Sequence, residues 1–258
     1  MSRSIAAAAA ANLAAHFTWV QRQTTGMRAR MDAHLVLADC GMPCDTFNAA
    51  CSARLGADAP RQVQEAIAWF DGRPFSWWHG PGDQPAHLSS LLESAGLGRA
   101  DGELAMWIDL ATVRDAPLPD GLTIRPVRNA DDLQTYARLL AALWSPPDVH
   151  VVGFYKRAER LLLAADALLR MYLGVIDGTP VATAEATLQD ETVGLYNIST
   201  DPAFRRRGIG SAMTRAPLID ARTQDASLGI LQAAPEGVSI YERVGFRAFG
   251  EMVEFKPA

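Results

Sequence analysis

Residues 205 to 212 read Arg-Arg-Arg-Gly-Ile-Gly-Ser-Ala, behind a predicted strand ending at Thr200 and ahead of a predicted helix from Gly210 to Thr223. This stretch constrains the fold more than any other. The first N–H groups of a helix lack intrahelical acceptors, and the macrodipole places partial positive charge on them. Glycines at 208 and 210 let a ligand approach the backbone, while Arg205, Arg206 and Arg207 add full charge. Together with Ile209 and Ser211 they form a pyrophosphate seat, which requires a strand, a loop and a helix in that order. A dinucleotide fingerprint needs a third glycine where Met213 stands, and a Walker loop needs Gly-Lys-Ser/Thr, which is absent. A Gly-rich surface turn with solvated arginines is the alternative.

Around this anchor the second half of the chain reads as a strand at 122–127 and helices at 130–143 and 151–169, parted by Pro146 and Pro147. A hairpin follows, turning at Asp177-Gly178, with strands at 170–176 and 181–188, and then a third antiparallel strand at 193–200. After the helix come a strand at 228–233, a short helix at 236–244 ended by Gly245, and a last strand at 249–255. The fold class is therefore α+β, a mixed sheet with helices on its faces. Pro217 falls inside the predicted helix, so a bend is expected there; its missing bond is to the carbonyl of Met213, beyond the first turn.

The length of 258 residues fits two domains of ordinary size, and the Pro- and Asp-rich stretch from Val113 to Gly121 parts them. The division is a domain at 1–115, a linker at 116–121 and a domain at 122–258. In the first domain, Phe75-Ser76-Trp77-Trp78 reads as a buried strand, with a helix at 85–95 and a strand at 104–110 after it. Laid over the second half, SSLLESAGL falls on VSIYERVGF, with Glu93 on Glu242, Gly96 on Gly245 and Leu92 on Tyr241. An internal duplication is one explanation, and two unrelated strand-helix-strand units are the other.

Composition excludes several classes. The chain is 49% hydrophobic and 21% charged, with 24 basic against 29 acidic residues and no basic run, so a nucleic-acid binder is not expected. No window approaches a membrane span, and Asn12 and His16 interrupt the Ala-rich stretch at 5–15 that would otherwise imitate a signal peptide. Cys40, Cys44 and Cys51 match no zinc spacing, and none of the five histidines does either, so no metal is expected. The odd cysteine set points to a reducing, cytoplasmic setting.

Two motifs in the right order resemble the GCN5-related N-acetyltransferases, the GNAT superfamily. Arg205, Gly208 and Gly210, introduced by the Asp201-Pro202 turn, match the central signature; Ile240-Tyr241-Glu242-Arg243-Val244-Gly245-Phe246 matches the tyrosine-bearing helix closed by Gly-Phe. The resemblance covers roughly residues 122–257. It implies a sheet splayed between the strands at 193–200 and 228–233, with the pantetheine arm of acetyl-CoA in the cleft. Ile198, Ser199 and Thr200 would line it, and the pyrophosphate would rest on the amides from Arg206 to Ser211. A backbone N–H near Ile198 is the implied oxyanion donor. The first half lacks the Arg-x-x-Gly-x-Gly motif and has Leu92 where the second has Tyr241. It thus resembles the degenerate half of a tandem GNAT protein.

Acetyl transfer to an amine needs a neutral amine, a stabilised oxyanion and a proton for the departing thiolate. Tyr241 is the candidate donor, since a phenol with a pKa of about 10 stays protonated at neutral pH; a tyrosine merely packed on the sheet is the alternative. Alternation along 181–188 puts Glu185 on one face with Thr183 and Thr187. Partial burial would suit Glu185 to accept the amine proton, directly or through water. An ordinary solvated polar face is the competing reading. Asn197, on the neighbouring strand, is a candidate for positioning water or substrate. The expected partner is a small-molecule or peptide amine, with a homodimer left open.

Overall fold

The computed structural model describes residues 4–257. In chain order its elements are α1 (Ile5–Thr18), β1 (Arg28–Met31), β2 (Val36–Asp39), β3 (Ala49–Cys51), α2 (Ala59–Trp69), β4 (Ser76–His79), α3 (Leu88–Ser94) and β5 (Leu97–Asp109). There follow β6 (Leu122–Pro126), α4 (Ala130–Ala141), α5 (Val149–Leu162), β7 (Leu169–Ile176), β8 (Thr179–Gln189), β9 (Thr192–Thr200), α6 (Ile209–Arg222), β10 (Leu228–Ala233), α7 (Val238–Val244) and β11 (Arg247–Pro257). The chain forms two compact units, one built from residues up to Ala105 and from Phe249 onward, the other from Met106–Ala248.

The division does not fall in the 116–121 linker. β5 carries the chain into the second unit before that linker, and β11 belongs to the first unit although it follows α7. The cause is pairing and burial. β11 runs antiparallel to β4, with Val253 opposite His79 and Phe255 opposite Trp77, and both Val253 and Phe255 lie in the first unit's core.

In the first unit, β1, β2 and β3 form an antiparallel ladder and β4 joins β3 in parallel. Phe75 and Trp77 of the predicted aromatic strand are core residues, with Phe75 stacked on Phe70 at 4.1 Å. The Ala-rich start of the chain is α1, capped by the Ser4 hydroxyl, which accepts from the Ala7 N–H. Sequence patterning did not resolve β1 to β3, because the three strands are only three or four residues long.

Asp83 gives this unit a pH dependence. Burial pushes its carboxyl up to about 7, against the bond that the Gly80 N–H donates to Oδ2 at 3.0 Å. The native state therefore holds this proton more tightly than the unfolded chain does. Stability contributed at low pH is lost as pH rises from about 4 to about 7, by up to about 4 kcal/mol. Asp83→Asn should flatten that slope and melt higher than the parent above pH 7. Thermal melts across pH 4 to 8 check this, and an unchanged slope would locate the dependence elsewhere.

The second unit has the strand order β5-β10-β9-β8-β7-β6. β6, β7, β8 and β9 are antiparallel neighbours and β10 is parallel to β9. Asn129 caps α4 by accepting from the Asp132 N–H, and Asp148 caps α5 by accepting from the His150 N–H, on either side of the Pro146-Pro147 break. Gly229 is required where β10 is crowded: a Cβ there would lie 2.7 Å from Ile108 and 3.0 Å from Leu218.

Both units use the same sequence of elements. Three antiparallel strands (β1 to β3, β7 to β9) lead to a helix (α2, α6), a strand parallel to the third (β4, β10), a short helix (α3, α7) and a closing strand (β5, β11). Gly96 after α3 and Gly245 after α7 both adopt left-handed φ, +89° and +115°, at the positions the sequence overlay brings together.

Candidate active site

Parallel pairing between β9 and β10 begins at Thr192 and Leu228 and ends at Leu195 and Leu231, although β9 continues to Thr200. Burial changes at the same point: Thr192 to Leu195 are buried, whereas Tyr196, Asn197, Ile198, Ser199 and Thr200 are partly exposed. The edge of β9 that faced β10 is thereby released. On its other edge β9 carries a bulge. Thr183 of β8 is paired with Ser199 and Glu185 with Tyr196, so Asn197 and Ile198 together stand opposite Ala184. Asn197 takes φ +50°, in the left-handed region that Asn tolerates better than most side chains. Its carbonyl accepts from the Thr183 hydroxyl at 2.8 Å, and the hydroxyls of Thr183 and Ser199 are 2.7 Å apart.

After Thr200 the Asp201 side chain accepts from the Ala203 N–H, forming a turn that delivers the chain to Arg205. Arg206 and Gly208 both take positive φ, +61° and +81°, and reverse the backbone into α6. Gly208 offers no side-chain cap, and the first bond back into the loop is from Ala212 N to Gly208 O at 3.2 Å. The N–H groups of Ile209, Gly210 and Ser211 therefore form the uncapped first turn of the helix. The three arginines are exposed but not equivalent. Arg205 donates through Nε to the Thr200 carbonyl at 3.1 Å, fastening the loop to β9, whereas the Arg207 guanidinium lies 5.6 Å from the centre of the Phe204 ring. α6 runs through Pro217 to Arg222 as one helix, so its first turn is intact as the sequence requires.

Tyr241 sits on α7, which follows β10 on the other side of the opening. α7 meets α6 through Ile240, whose Cδ1 would be 3.5 Å from a Cβ at Gly210. The Tyr241 ring crosses Gly237 so closely that a Cβ there would lie 2.9 Å from Cε2, and it packs edge-on against Phe246 at 6.1 Å. Tyr241 O accepts from the N–H groups of Gly245 and Phe246, so the Gly-Phe pair both ends α7 and fixes the tyrosine's backbone.

Glu185 differs from its surface reading. It is 1% exposed, and Thr183 and Thr187 on the same face are also buried, so the solvated polar face does not exist. Three donors from three elements converge on its Oε2: Tyr155 OH of α5 at 2.7 Å, Tyr136 OH of α4 at 3.1 Å and Asn197 Nδ2 of β9 at 3.3 Å. Asn197 Nδ2 also lies 3.4 Å from Tyr155 OH. Burial raises the Glu185 pKa, opposed by these donors, and it raises those of both phenols. The structure thus brings Glu185 and Asn197 together and adds two tyrosines. Tyr155 belongs to neither sequence motif, and nor does Tyr136. Its signal was there: it falls on the buried face of α4 with Leu133, Ala137 and Leu140, where a phenol needs a hydrogen-bond partner.

The second unit also matches a family model. Residues 167–248 match the acetyltransferase (GNAT) domain. This part of the second unit is similar to the GNAT family. Among curated proteins it is similar to the mycothiol acetyltransferase of Rhodococcus erythropolis, at 27% identity over 205 residues covering 71% of this chain and 67% of that one. Among solved structures it is similar to a GCN5-related N-acetyltransferase from Kribbella flavida, with a TM-score of 0.72 and 20% identity over 99% of this chain and 96% of that one. A tandem GNAT protein from the clavulanic acid biosynthesis pathway superposes with a TM-score of 0.58 and 15% identity over 90% and 83% of the two chains. At those identities the solved structures establish the GNAT fold. Among the described residues no group of side chains has the makings of a metal site, and no helix is long and apolar enough to cross a membrane.

Proposed function

We propose that this protein is a GNAT acetyltransferase that transfers the acetyl group of acetyl-CoA to a primary amine on a small molecule or peptide, by direct attack within a ternary complex. The observation that carries this reading is the end of the β9/β10 ladder at Leu195 and Leu231, followed nine residues beyond Thr200 by the uncapped start of α6 at Ile209. A released strand edge offers N–H and C=O groups to an amide-bearing arm, and an uncapped helix start offers N–H groups to a diphosphate. Ile198, Ser199 and Thr200 would hold the arm; Arg206, Arg207, Gly208, Ile209, Gly210 and Ser211 would hold the diphosphate, with Arg205 fastening the loop.

In the reaction the amine nitrogen attacks the thioester carbonyl, a C–N bond forms, the C–S bond breaks and the amine proton passes to solvent water at the partly exposed opening, from which Tyr241 is reprotonated. The N–H of Ile198 would receive the developing oxyanion, and the Tyr241 hydroxyl would protonate the thiolate. Preorganised donors of this kind lower such barriers by about 3 kcal/mol each. Glu185 and Asn197 act together, and their part is taken up below.

The first unit supports a supporting role for itself. Where the second unit opens, the first is bonded shut: Gln84 N donates to Ala53 O at 2.9 Å and Leu55 N to Gln84 O at 3.0 Å. α2, which corresponds to α6, begins with Asp58 and Pro60, an acid and a residue without an N–H. We read the first unit as a decayed GNAT copy and the second unit, which takes in 116–121, as the catalytic part. Cys40, Cys44 and Cys51 are buried thiols, which suits a cytoplasmic protein.

A panel of amines incubated with acetyl-CoA tests the reading, with the acceptor of the mycothiol enzyme among its members. Free thiol and N-acetylated product should appear in equal amounts. Thiol without acetylated amine would replace the transferase by a thioester hydrolase.

A further inference from the structure

Glu185 has the residue type and the raised pKa of a general base, but not the access of one. It is 1% exposed, and Tyr136 and Tyr155, which enclose it, are both 0% exposed. An amine in the β9/β10 opening cannot touch this carboxylate. What does reach from the carboxylate toward the opening is Asn197, the one partly exposed member of the group and the residue at the bulge.

Asn197 is held at two points. Its carbonyl accepts from Thr183 Oγ1, and its side-chain amide lies within hydrogen-bond reach of Glu185 Oε2 and Tyr155 OH. A non-glycine residue at positive φ persists where its surroundings over-determine it. Here β8, α4 and α5 supply the constraints, through Thr183 and Glu185, Tyr136, and Tyr155 respectively. The bulge also lies at the step where the oxyanion donor is proposed, immediately before Ile198.

We propose that Glu185, with Tyr136 and Tyr155, is a buried anchor that locks Asn197 in its left-handed bulge and so fixes the backbone at the Asn197–Ile198 step against which the acyl group reacts. Glu185 and the two tyrosines are positioning residues; the amine proton does not go to Glu185. This rests on the transferase reading for its consequence in turnover, but the anchor itself can be measured without turnover.

The test is a comparison of Glu185→Gln, Glu185→Ala and Tyr155→Phe. A glutamine amide oxygen accepts from both phenols and from Asn197 as the carboxylate does, so Glu185→Gln should keep kcat within about 3-fold of the parent. Glu185→Ala leaves three donors without their acceptor and should lower kcat by about 10- to 100-fold with CoA affinity unchanged. Tyr155→Phe keeps the ring and loses one donor, and should fall between the two; it carries the same test should Glu185→Ala not fold. Hydrogen exchange of the peptide spanning 196–199 supplies the readout independent of catalysis. It should quicken about tenfold in Glu185→Ala and stay at the parental rate in Glu185→Gln. A folded Glu185→Gln that loses 100-fold or more in kcat with unchanged exchange would make Glu185 the base and overturn the anchor. Unchanged exchange in both Glu185→Ala and Tyr155→Phe would overturn it equally. An inactive parent whose exchange still responds as described would sink the transferase reading and leave the anchor standing.

Discussion

Tyr241→Phe is expected to lower kcat by about 10²- to 10³-fold while leaving CoA affinity where it was. The substitution keeps the ring that packs edge-on against Phe246 and crosses Gly237, and it keeps the backbone carbonyl that closes α7 on Gly245 and Phe246. Only the hydroxyl goes. Because the ring is partly exposed and its packing is kept, melting temperature should move little. A drop in kcat with constant Kd for CoA is the signature of an interaction made only in the transition state. If kcat is unchanged, the thiolate takes its proton from another source. If the parent turns over no amine at all while binding CoA, the protein is an acyl-CoA-responsive module that keeps the seat without the chemistry.

The largest effect on binding is expected from Arg206→Gln combined with Arg207→Gln. Both residues immediately precede the uncapped start of α6 in the chain and both are exposed, so their replacement should not unfold the unit. Charge-assisted bonds to a phosphate contribute about 1.5–3 kcal/mol each, and partial exposure cuts that figure. A loss of about 10- to 100-fold in CoA affinity follows for the pair. The dependence of Kd on salt should also become shallower, because two screened attractions have gone. Arg205 makes the useful contrast. Its Nε is committed to the Thr200 carbonyl, so Arg205→Gln should disturb the loop that joins β9 to α6 and show in stability as well as affinity. Equal losses for Arg205→Gln alone and for the Arg206/Arg207 pair, with melting temperature unchanged in both, would contradict this division of labour.

How far such a site is legible in sequence depends on whether its signal is local. The uncapped helix start at 208–211 and the helix bearing Tyr241 are readable because their geometry is set by neighbours in the chain: two glycines and a helix start, or a helix closed by Gly-Phe. The burial of Glu185 was not, because alternation along β8 cannot tell a face turned to water from one covered by α4 and α5. The same blindness hid Tyr136, whose partner is 49 residues away. In the first unit the aromatic strand at 75–78 was clear from composition, but the bridge from Ala53 and Leu55 to Gln84 depends on backbone bonds that no side-chain pattern announces. The course of β11 was lost for another reason. Its sequence reads as a strand, but which strand it joins is decided by the burial of Val253 and Phe255 among residues more than 150 positions earlier.

The most direct measurement is a calorimetric titration of the full chain with CoA. One unit has a released strand edge beside an uncapped helix start, and the other has that edge bonded to Gln84 and that helix opened by Asp58 and Pro60. The expected result is saturable binding with a single coenzyme per chain, abolished or greatly weakened in the Arg206/Arg207 double variant. Absence of binding heat at any temperature, or two equivalent sites per chain, would contradict the account.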